Sequence, residues 1–342
     1  MEEIKIPFTH KTVSVLFDKN LFECIAETNA SSICLLVDKN VFDIHKDLFS
    51  PYNPIIIKSG EEFKIQATVD IVIDEMLERG YDRNTMLFAI GGGVTTDIGG
   101  YVASVYKRGI NFNQVPTSIL AMVDAAIGGK NGVNTAFYKN MVGTIYQPNN
   151  IIFDFNFLKT LPREEWINGF AEVIKHSCIW DREMFNELSE NNIDNFLNDE
   201  TLIRNIIRKN ISIKSAIVCS DEFETGNRML LNFGHTLGHA IEKEYNLKHG
   251  FAISLGMVAA ARISEEINNF YSVEMDLLLN LLEKYDLPIK LSFDKDAIWN
   301  GLLSDKKRNG ETMNFVLLNS IGKAVVKPIG LTQLKDLIAQ VL

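Results

Sequence analysis

Between residues 32 and 100 the chain switches repeatedly between two hydrophobic periods, and this alternation narrows its possible folds more than any other feature. "SICLLVD" (32 to 38) is a short apolar run closing on an acidic residue, and "NPIIIKSG" reads as a second strand. "KIQATVDIVIDEMLERG" then carries apolar residues at three- and four-residue intervals, and "MLFAI" is a short buried strand running into "GGGVTTDIGG". Strands separated by helices imply a mainly parallel sheet with helices on both faces. After about residue 155 the pattern becomes helix-periodic, in "NGFAEVIKHSCIW", "ETLIRNIIRKNISIKSAIV", "GHAIEKEY" and "AISLGMVAAARISEEI". The expected architecture is α/β: a Rossmann-like parallel-sheet domain over residues 1–155 and a mainly α-helical domain over 156–342, joined within "DFNFLKTLPREEW" (154 to 166).

The 342 residues suffice for two domains, and they show no internal repeat or low-complexity tract. Lys and Arg total 34 against 44 Asp and Glu, a net charge of -10, which argues against nucleic acid as a partner while leaving room for a local anion pocket. Four cysteines without a CxxC pair suit a reducing compartment. The first residues lack a basic stretch followed by an apolar run, and no segment reaches the ~20 apolar residues of a membrane helix. The expectation is a soluble, unprocessed, cytoplasmic protein.

Three motifs carry chemistry. Gly91, Gly92 and Gly93 end a strand where backbone N–H groups can approach a pyrophosphate, because no Cβ intervenes. Reading G-x-G-x-x-G from Gly91 puts Thr96 in the third glycine's place, so a plain tight turn stays open. Asp38 can accept hydrogen bonds from a ribose or cap a helix. Arg108, Asp124, Lys130, Lys139 and Asn140 stand among small and apolar residues, where a lysine after two glycines and a Lys-Asn pair offer donors to phosphate oxygens; solvated loop lysines are the alternative. In "NFGHTLGHAIE", His235 and His239 share one helical face, and His249 follows in "LKHG". Zinc sites commonly join two imidazoles with a carboxylate, for which Glu172 in "NGFAEVIKH" is the candidate; a simple Glu172–Lys175 helix pair is the alternative.

In order, "GGGVTTD", "YKRG", "QVPTS", "VDAAIGGKNGVN", "KNMVGTIYQP", "FLKTLP", "GFAEVIKH", "DEFETGNRMLLNFGHTLGHAIE", "HG" and "SDKKRNG" resemble the 3-dehydroquinate synthases, sugar phosphate cyclases of the shikimate pathway. The resemblance runs from about Asp38 to Lys307. It implies NAD, a divalent metal (zinc or cobalt) and 3-deoxy-D-arabino-heptulosonate 7-phosphate as substrate. By that likeness Glu172, His235 and His249 are metal ligands and His239 contacts substrate. Arg108, Asp124, Lys130, Lys139, Asn140, Lys175, Lys214, Arg228, Asn232 and one of Lys306 or Lys307 match substrate-site positions. Of this group Lys130, Asn140, Lys175, Arg228 and His239 would be catalytic. The cofactor positions are Asp38, Glu61, Lys64, Gly92, Gly93, Val94, Asp97, Thr117, Ser118, Lys139, Phe157, Leu158, Lys159 and Thr160.

Lys130, Lys214 and Arg228, with Asn232, match positions that hold a substrate carboxylate, which favours this activity over cyclases whose substrates lack one. Three places depart from the family pattern: Phe251 stands where an acidic residue is common, Ser118 replaces a threonine, and "GGGVTTDIGGY" differs from "GGGVVGDLAGF". A metal- and NAD-dependent alcohol or glycerol dehydrogenase is the alternative enzyme, and a binding protein without turnover is a third reading. The family further implies a homodimer in which Arg108 reaches the neighbouring active site.

Overall fold

The computed structural model describes residues 2–342 apart from 137, 224–225, 291, 304–307 and 310. The chain divides into two compact units, Met1–Pro162 and Arg163–Leu342.

The strands of the first unit are β1 (Glu2–Pro7), β2 (Thr12–Phe17), β3 (Ile33–Asp38), β4 (Ile55–Ile57), β5 (Met86–Gly91), β6 (Asn111–Pro116), β7 (Lys130–Val133), β8 (Val142–Ile145) and β9 (Asn150–Phe153). Seven of them form one sheet in the order β1-β2-β9-β6-β5-β3-β4. Only β1 and β2 pair antiparallel; every other neighbouring pair is parallel. Alternate residues of the central strands feed two separate cores. Cys34, Leu36, Leu87 and Phe112 face one side, against Val69, Val72 and Met76 of helix α1 (Gln66–Glu78) and Ile98 and Val102 of helix α2 (Gly93–Val105). Leu35, Val37, Phe88 and Ile90 face the other, against Leu21, Ile25, Phe49 and Phe157. A parallel sheet buried on both faces is what strand–helix alternation produces.

Two glycines of α2 set how closely it lies on the sheet. A Cβ at Gly99 would fall 2.3 Å from that of Ala89 on β5, and one at Gly100 would fall 1.8 Å from Asn131 Oδ1 on β7. β9 is the bridge of the sheet. Asn150 pairs with Ser14 of β2 on one side and with Asn113 of β6 on the other.

The second unit is built on helices α3 (Arg163–Trp180), α4 (Glu200–Ser220), α5 (His235–Tyr245) and α6 (His249–Asn268). Pro162 precedes α3, whose first turn holds Glu164 and Glu165, acidic groups that suit the positive end of a helix. α6 is buried around nearly its whole circumference, as a central helix must be. The unit also contains an antiparallel sheet that a mainly helical reading leaves out: β10 (Arg308–Asn309), β11 (Thr312–Ser320) and β12 (Lys323–Gly330). β11 and β12 are joined by Ile321 and Gly322, the glycine at φ +86°. Among the described residues no helix is long and apolar enough to cross a membrane.

Candidate active site

Glu172, His235 and His249 lie on three different helices of the second unit, and the glycines between them explain how they meet. Both histidines of "GHTLGH" follow a glycine because α5 lies directly on α6. A Cβ at Gly238 would stand 2.9 Å from Ile253 Cδ1, and one at Gly256 only 1.9 Å from Gly234 O. Gly234 itself precedes α5 in the left-handed region, at φ +76°, where glycine alone is unstrained. The start of α6 is pinned to α3 in turn. Lys248 pairs with Glu164 (2.8 Å) and Glu165 (2.6 Å), and Gly250 N–H donates to Asn168 Oδ1 at 2.7 Å. A Cβ on Gly250 would fall 2.0 Å from the Asn168 carbonyl oxygen, so the "HG" pair brings α6 as close to α3 as backbone allows.

The result is a tight cluster. Glu172 Oε1 stands 3.4 Å from His235 Nε2 and 3.3 Å from His249 Nε2. The other nitrogen of each ring is engaged: His235 Nδ1 lies 3.1 Å from the Phe233 carbonyl oxygen and His249 Nδ1 lies 3.2 Å from Glu242 Oε2. Both partners are pure acceptors, so each Nδ1 carries a hydrogen, and a ring that has given up any proton on Nε2 directs that nitrogen's lone pair toward Glu172. With both Nε2 atoms deprotonated, three electron-pair donors face one another, an arrangement that a cation among them would satisfy. Their ligand atoms all fall within 4.8 Å of one another. Donors at about 2.0–2.1 Å from a tetrahedral ion lie about 3.3 Å apart, which matches the separations from Glu172. The donor set therefore fits a divalent ion of the zinc type.

Lys175, 1% exposed, forms an ion pair with the fully buried Glu172 through Oε2, leaving Oε1 to the imidazoles. Burial alone would push the Glu172 carboxyl up, yet Lys175, His235 and His249 outweigh it and hold the group well below the usual carboxylate range. Burial and the Lys175 cation press His235 down to about 3. Burial acts in the same direction on His249, but its hydrogen bonds to Glu172 and Glu242 raise it to about 10. With only the protein's own charges present, His249 is the cation of the cluster and donates to a carboxylate from each nitrogen; a divalent ion would take the place of its Nε2 proton.

His239 lies beside this group, its ring centroid 5.2 Å from that of His235 and 6.2 Å from that of His249. Lys214 on α4 and Arg228 in the 3-10 turn Asn227–Asn232 are buried, while Asn232 is partly exposed. Asp221 organises that turn, its Oδ2 accepting the N–H groups of Gly226 (2.6 Å) and Arg228 (3.0 Å), while the Arg228 guanidinium donates to the Glu222 carbonyl at 2.5 Å. Lys306 and Lys307 lie outside the described residues.

In the first unit β5 ends at Gly91 and α2 starts at Gly93, so Gly92 occupies the helix N-cap. A side chain there would meet nothing nearer than Ser118 Oγ at 3.6 Å, and one on Gly93 would meet Ala125 Cβ at 3.2 Å. This open backbone at a helix N-terminus is a cradle suited to a pyrophosphate. Thr117 N–H donates to Gly91 O at 2.9 Å, which sets Thr117 and Ser118 next to that turn. Asp38 is the N-cap of a short helix at Lys39–Ile44. Its Oδ1 accepts from Asn40 N (2.9 Å) and Ser59 Oγ (2.6 Å), while Thr95 Oγ1 approaches its Oδ2 at 3.5 Å.

A polar network ties "GEEFK" to "YKN". Lys64 pairs with Asp97 and donates to Asn140 Oδ1 at 2.6 Å; Asn140 N–H donates to Asn134 Oδ1 at 2.9 Å; Asn134 Nδ2 donates to Glu61 Oε1 at 2.8 Å. Val94 follows Gly93 in the first turn of α2. The two glycines before Lys130 are left-handed, Gly128 at φ 101° and Gly129 at φ 65°, and a Cβ on Gly129 would fall 2.6 Å from Gln147 Cδ. They deliver an exposed Lys130 to the first position of β7, while Asp124 is half-buried and Lys139 exposed. Arg108 is also exposed, on two successive left-handed residues, Lys107 (φ 50°) and Arg108 (φ 66°). In "FLKT", Phe157 and Leu158 are buried, Phe157 stacking on Phe49, whereas Lys159 and Thr160 are exposed, with Thr160 Oγ1 bonded to His45 Nε2 at 3.0 Å.

Glu242 and Asn168 were not singled out from the sequence. The only hint for Glu242 was its place one turn beyond His239, and for Asn168 its position one turn before Glu172.

A family model described as 3-dehydroquinate synthase N-terminal matches residues 54–168, and its C-terminal counterpart matches residues 169–308. The chain is similar to 3-dehydroquinate synthase of Pyrococcus abyssi, 39% identical over 346 residues, which span 100% of this chain and 99% of the relative. With the Campylobacter concisus protein of the same description it shares 40% identity over 277 residues, 80% of this chain and 79% of the relative. Among solved structures it is similar to 2-deoxy-scyllo-inosose synthase complexed with carbaglucose-6-phosphate, NAD+ and Co2+, at a TM-score of 0.86 and 26% identity with both chains fully covered.

Proposed function

Since the chain belongs to the 3-dehydroquinate synthase family, phosphate-eliminating cyclases that turn 3-deoxy-D-arabino-heptulosonate 7-phosphate into 3-dehydroquinate and phosphate, we propose which of its residues do the work. When bound, NAD supplies a reversible hydride acceptor that acidifies the C–H next to the phosphate-bearing carbon, and the divalent ion supplies a Lewis acid.

Glu172, His235 and His249 would hold the ion, and Lys175 holds the second oxygen of Glu172, so that Oε1 is the one turned to the imidazoles. Gly92, Gly93 and Val94 would receive the pyrophosphate, with Asp38, Glu61, Lys64, Asp97, Thr117, Ser118 and Lys139 completing the cofactor site. The exposed Lys159 and Thr160 suit that role better than the core residues Phe157 and Leu158. Arg108, Lys130, Lys139, Asn140 and His239 would bind the anionic substrate. Buried Lys214 and Arg228, with Lys130 and Asn232, would take its carboxylate, because a fixed cation excludes substrates that leave it unpaired. Asp124 and one of Lys306 or Lys307 complete the substrate set. Cations around the phosphate stabilise the leaving group as charge develops on it.

The observation that carries the reading is Glu172 Oε1 at 3.3 and 3.4 Å from two imidazole nitrogens whose opposite nitrogens are already bonded. The test is phosphate release from the heptulosonate phosphate in the presence of NAD. Release should stop on chelation and return with zinc or cobalt, without net NADH. NADH accumulating on a polyol, with no phosphate released, would instead establish an alcohol or glycerol dehydrogenase.

We further propose a homodimer to which Arg108, exposed on its left-handed turn, contributes at the neighbouring site, and a cytoplasmic location, which the four unpaired cysteines suit. Sedimentation of the purified chain tests the first.

A further inference from the structure

One buried carboxylate beside the ion cluster has no task in that scheme. Glu242 lies on α5 seven residues after His235, 8% exposed, and its Oε2 stands 3.2 Å from His249 Nδ1. On the opposite edge of the same ring, His249 Nε2 is 3.3 Å from Glu172 Oε1. A ring gripped by a carboxylate at each nitrogen cannot flip without losing both contacts.

The cluster also contains a second set of potential ligands. His239, Glu242 and His249 have ligand atoms within 4.8 Å of one another, as do Glu172, His235 and His249. His249 belongs to both sets, and the nitrogen it turns to Glu242, a member of the second, is Nδ1. An imidazole whose Nδ1 keeps its hydrogen has one lone pair, on Nε2, and can serve only the set containing Glu172.

We propose that Glu242 is a positioning residue for the ion. Its carboxylate holds the Nδ1–H of His249, directs Nε2 at Glu172 and His235, and so decides which of the two sets that share His249 is the metal site. A carboxylate on the outer nitrogen also raises the electron density at Nε2, which strengthens it as a ligand. The inference rests on the assignment of the ion to Glu172, His235 and His249, and extends it to a residue that assignment does not name.

The experiment uses the full chain, stripped with chelator and titrated with Zn2+ and Co2+ in the absence of NAD and substrate. Wild type is compared with Glu242→Ala, Glu242→Gln and Glu172→Gln. The expected result is metal affinity about 10–100-fold weaker for Glu242→Ala, with the visible bands of bound Co2+ displaced. Glu242→Gln, which keeps a neutral acceptor for Nδ1–H, should be weakened by a smaller factor of at least about threefold. The melting temperature of each metal-free variant separates loss of folding from loss of the ligand.

Glu172→Gln weak with Glu242→Ala as tight as wild type and unchanged in its cobalt spectrum would overturn this inference alone. Glu172→Gln as tight as wild type would bring down the assignment of the ion itself. Should the alanine variant fail to fold, the glutamine variant decides: equal affinity overturns the proposal, and weaker affinity with an unchanged metal-free melting temperature supports it.

Discussion

Gly250→Ala is the smallest change that tests how His249 reaches Glu172. The new methyl carbon would lie 2.0 Å from the carbonyl oxygen of Asn168 and 2.8 Å from its carbonyl carbon, both backbone atoms of α3. Carbon and oxygen tolerate little under ~3.2 Å, so the first turn of α6 must withdraw by about 1 Å. A withdrawal of that size opens the 3.3 Å separation of His249 Nε2 and Glu172 Oε1 to beyond 4 Å, about the limit that bonds of ~2.0–2.1 Å to one ion can span. It also stretches the 2.7 Å hydrogen bond from Gly250 N to Asn168 Oδ1. Zinc affinity should fall about 100-fold or more, since even outer contacts cost 10–100-fold. Overpacking and the strained hydrogen bond should together destabilise the metal-free protein by ~2–4 kcal/mol, lowering Tm by ~5–10 °C. Chelator competition measures the first quantity and a thermal melt the second. An alanine variant that binds zinc as tightly as wild type would refute the claim that close backbone approach sets the ligand geometry.

Two further outcomes follow from the first unit and from the thiols. Lys64→Met removes a buried cation paired with Asp97 and bonded to Asn140 and should cost ~3 kcal/mol, the low end for breaking a buried pair. Adding Asp97→Asn should restore stability but not NAD affinity by calorimetry; recovery of both would mean that Lys64 serves the fold and not the cofactor. Burial raises Cys24 to about 11 and both Cys34 and Cys178 to about 12, so their thiolates are scarce at pH 8. Iodoacetamide should label Cys219, the exposed one, well before the rest, and mass spectrometry finding Cys34 or Cys178 labelled as fast would contradict the packing.

How much of this was legible depended on whether a residue's partners were near it in sequence. The strands ending at Asp38 and Gly91 could be read because a parallel sheet buried on both faces writes unbroken apolar runs into the chain. His235 and His239 could be placed on one face by helical spacing alone. β11 carries an unbroken buried run from Phe315 to Leu318 and β12 is mostly half-buried, so neither alternates cleanly; their turn is Ile321-Gly322 and not an Asn-Gly or Asp-Gly pair, and the surrounding helices dominate the local pattern. Glu242 could not be assigned a role because its partner is created when α6 folds back on α5. Asp38 shows how one residue type serves two purposes, since the carboxylate that marks a ribose site in doubly wound sheets here caps a six-residue helix through Oδ1.

The position of β9 bears on how the chain acquires its shape. This four-residue strand is the link through which the N-terminal hairpin joins the sheet, with Ser14 beside Asn150 and Asn113 beside it on the other flank. A nascent polypeptide that has emerged only to residue 149 therefore has an orphaned hairpin and, on β6, a raw edge with unmet N–H and C=O groups. Closing a loop of that length before any reward is collected makes assembly slow and exposes a sticky intermediate. Cells making this enzyme should need the most chaperone assistance during the interval before β9 leaves the ribosome.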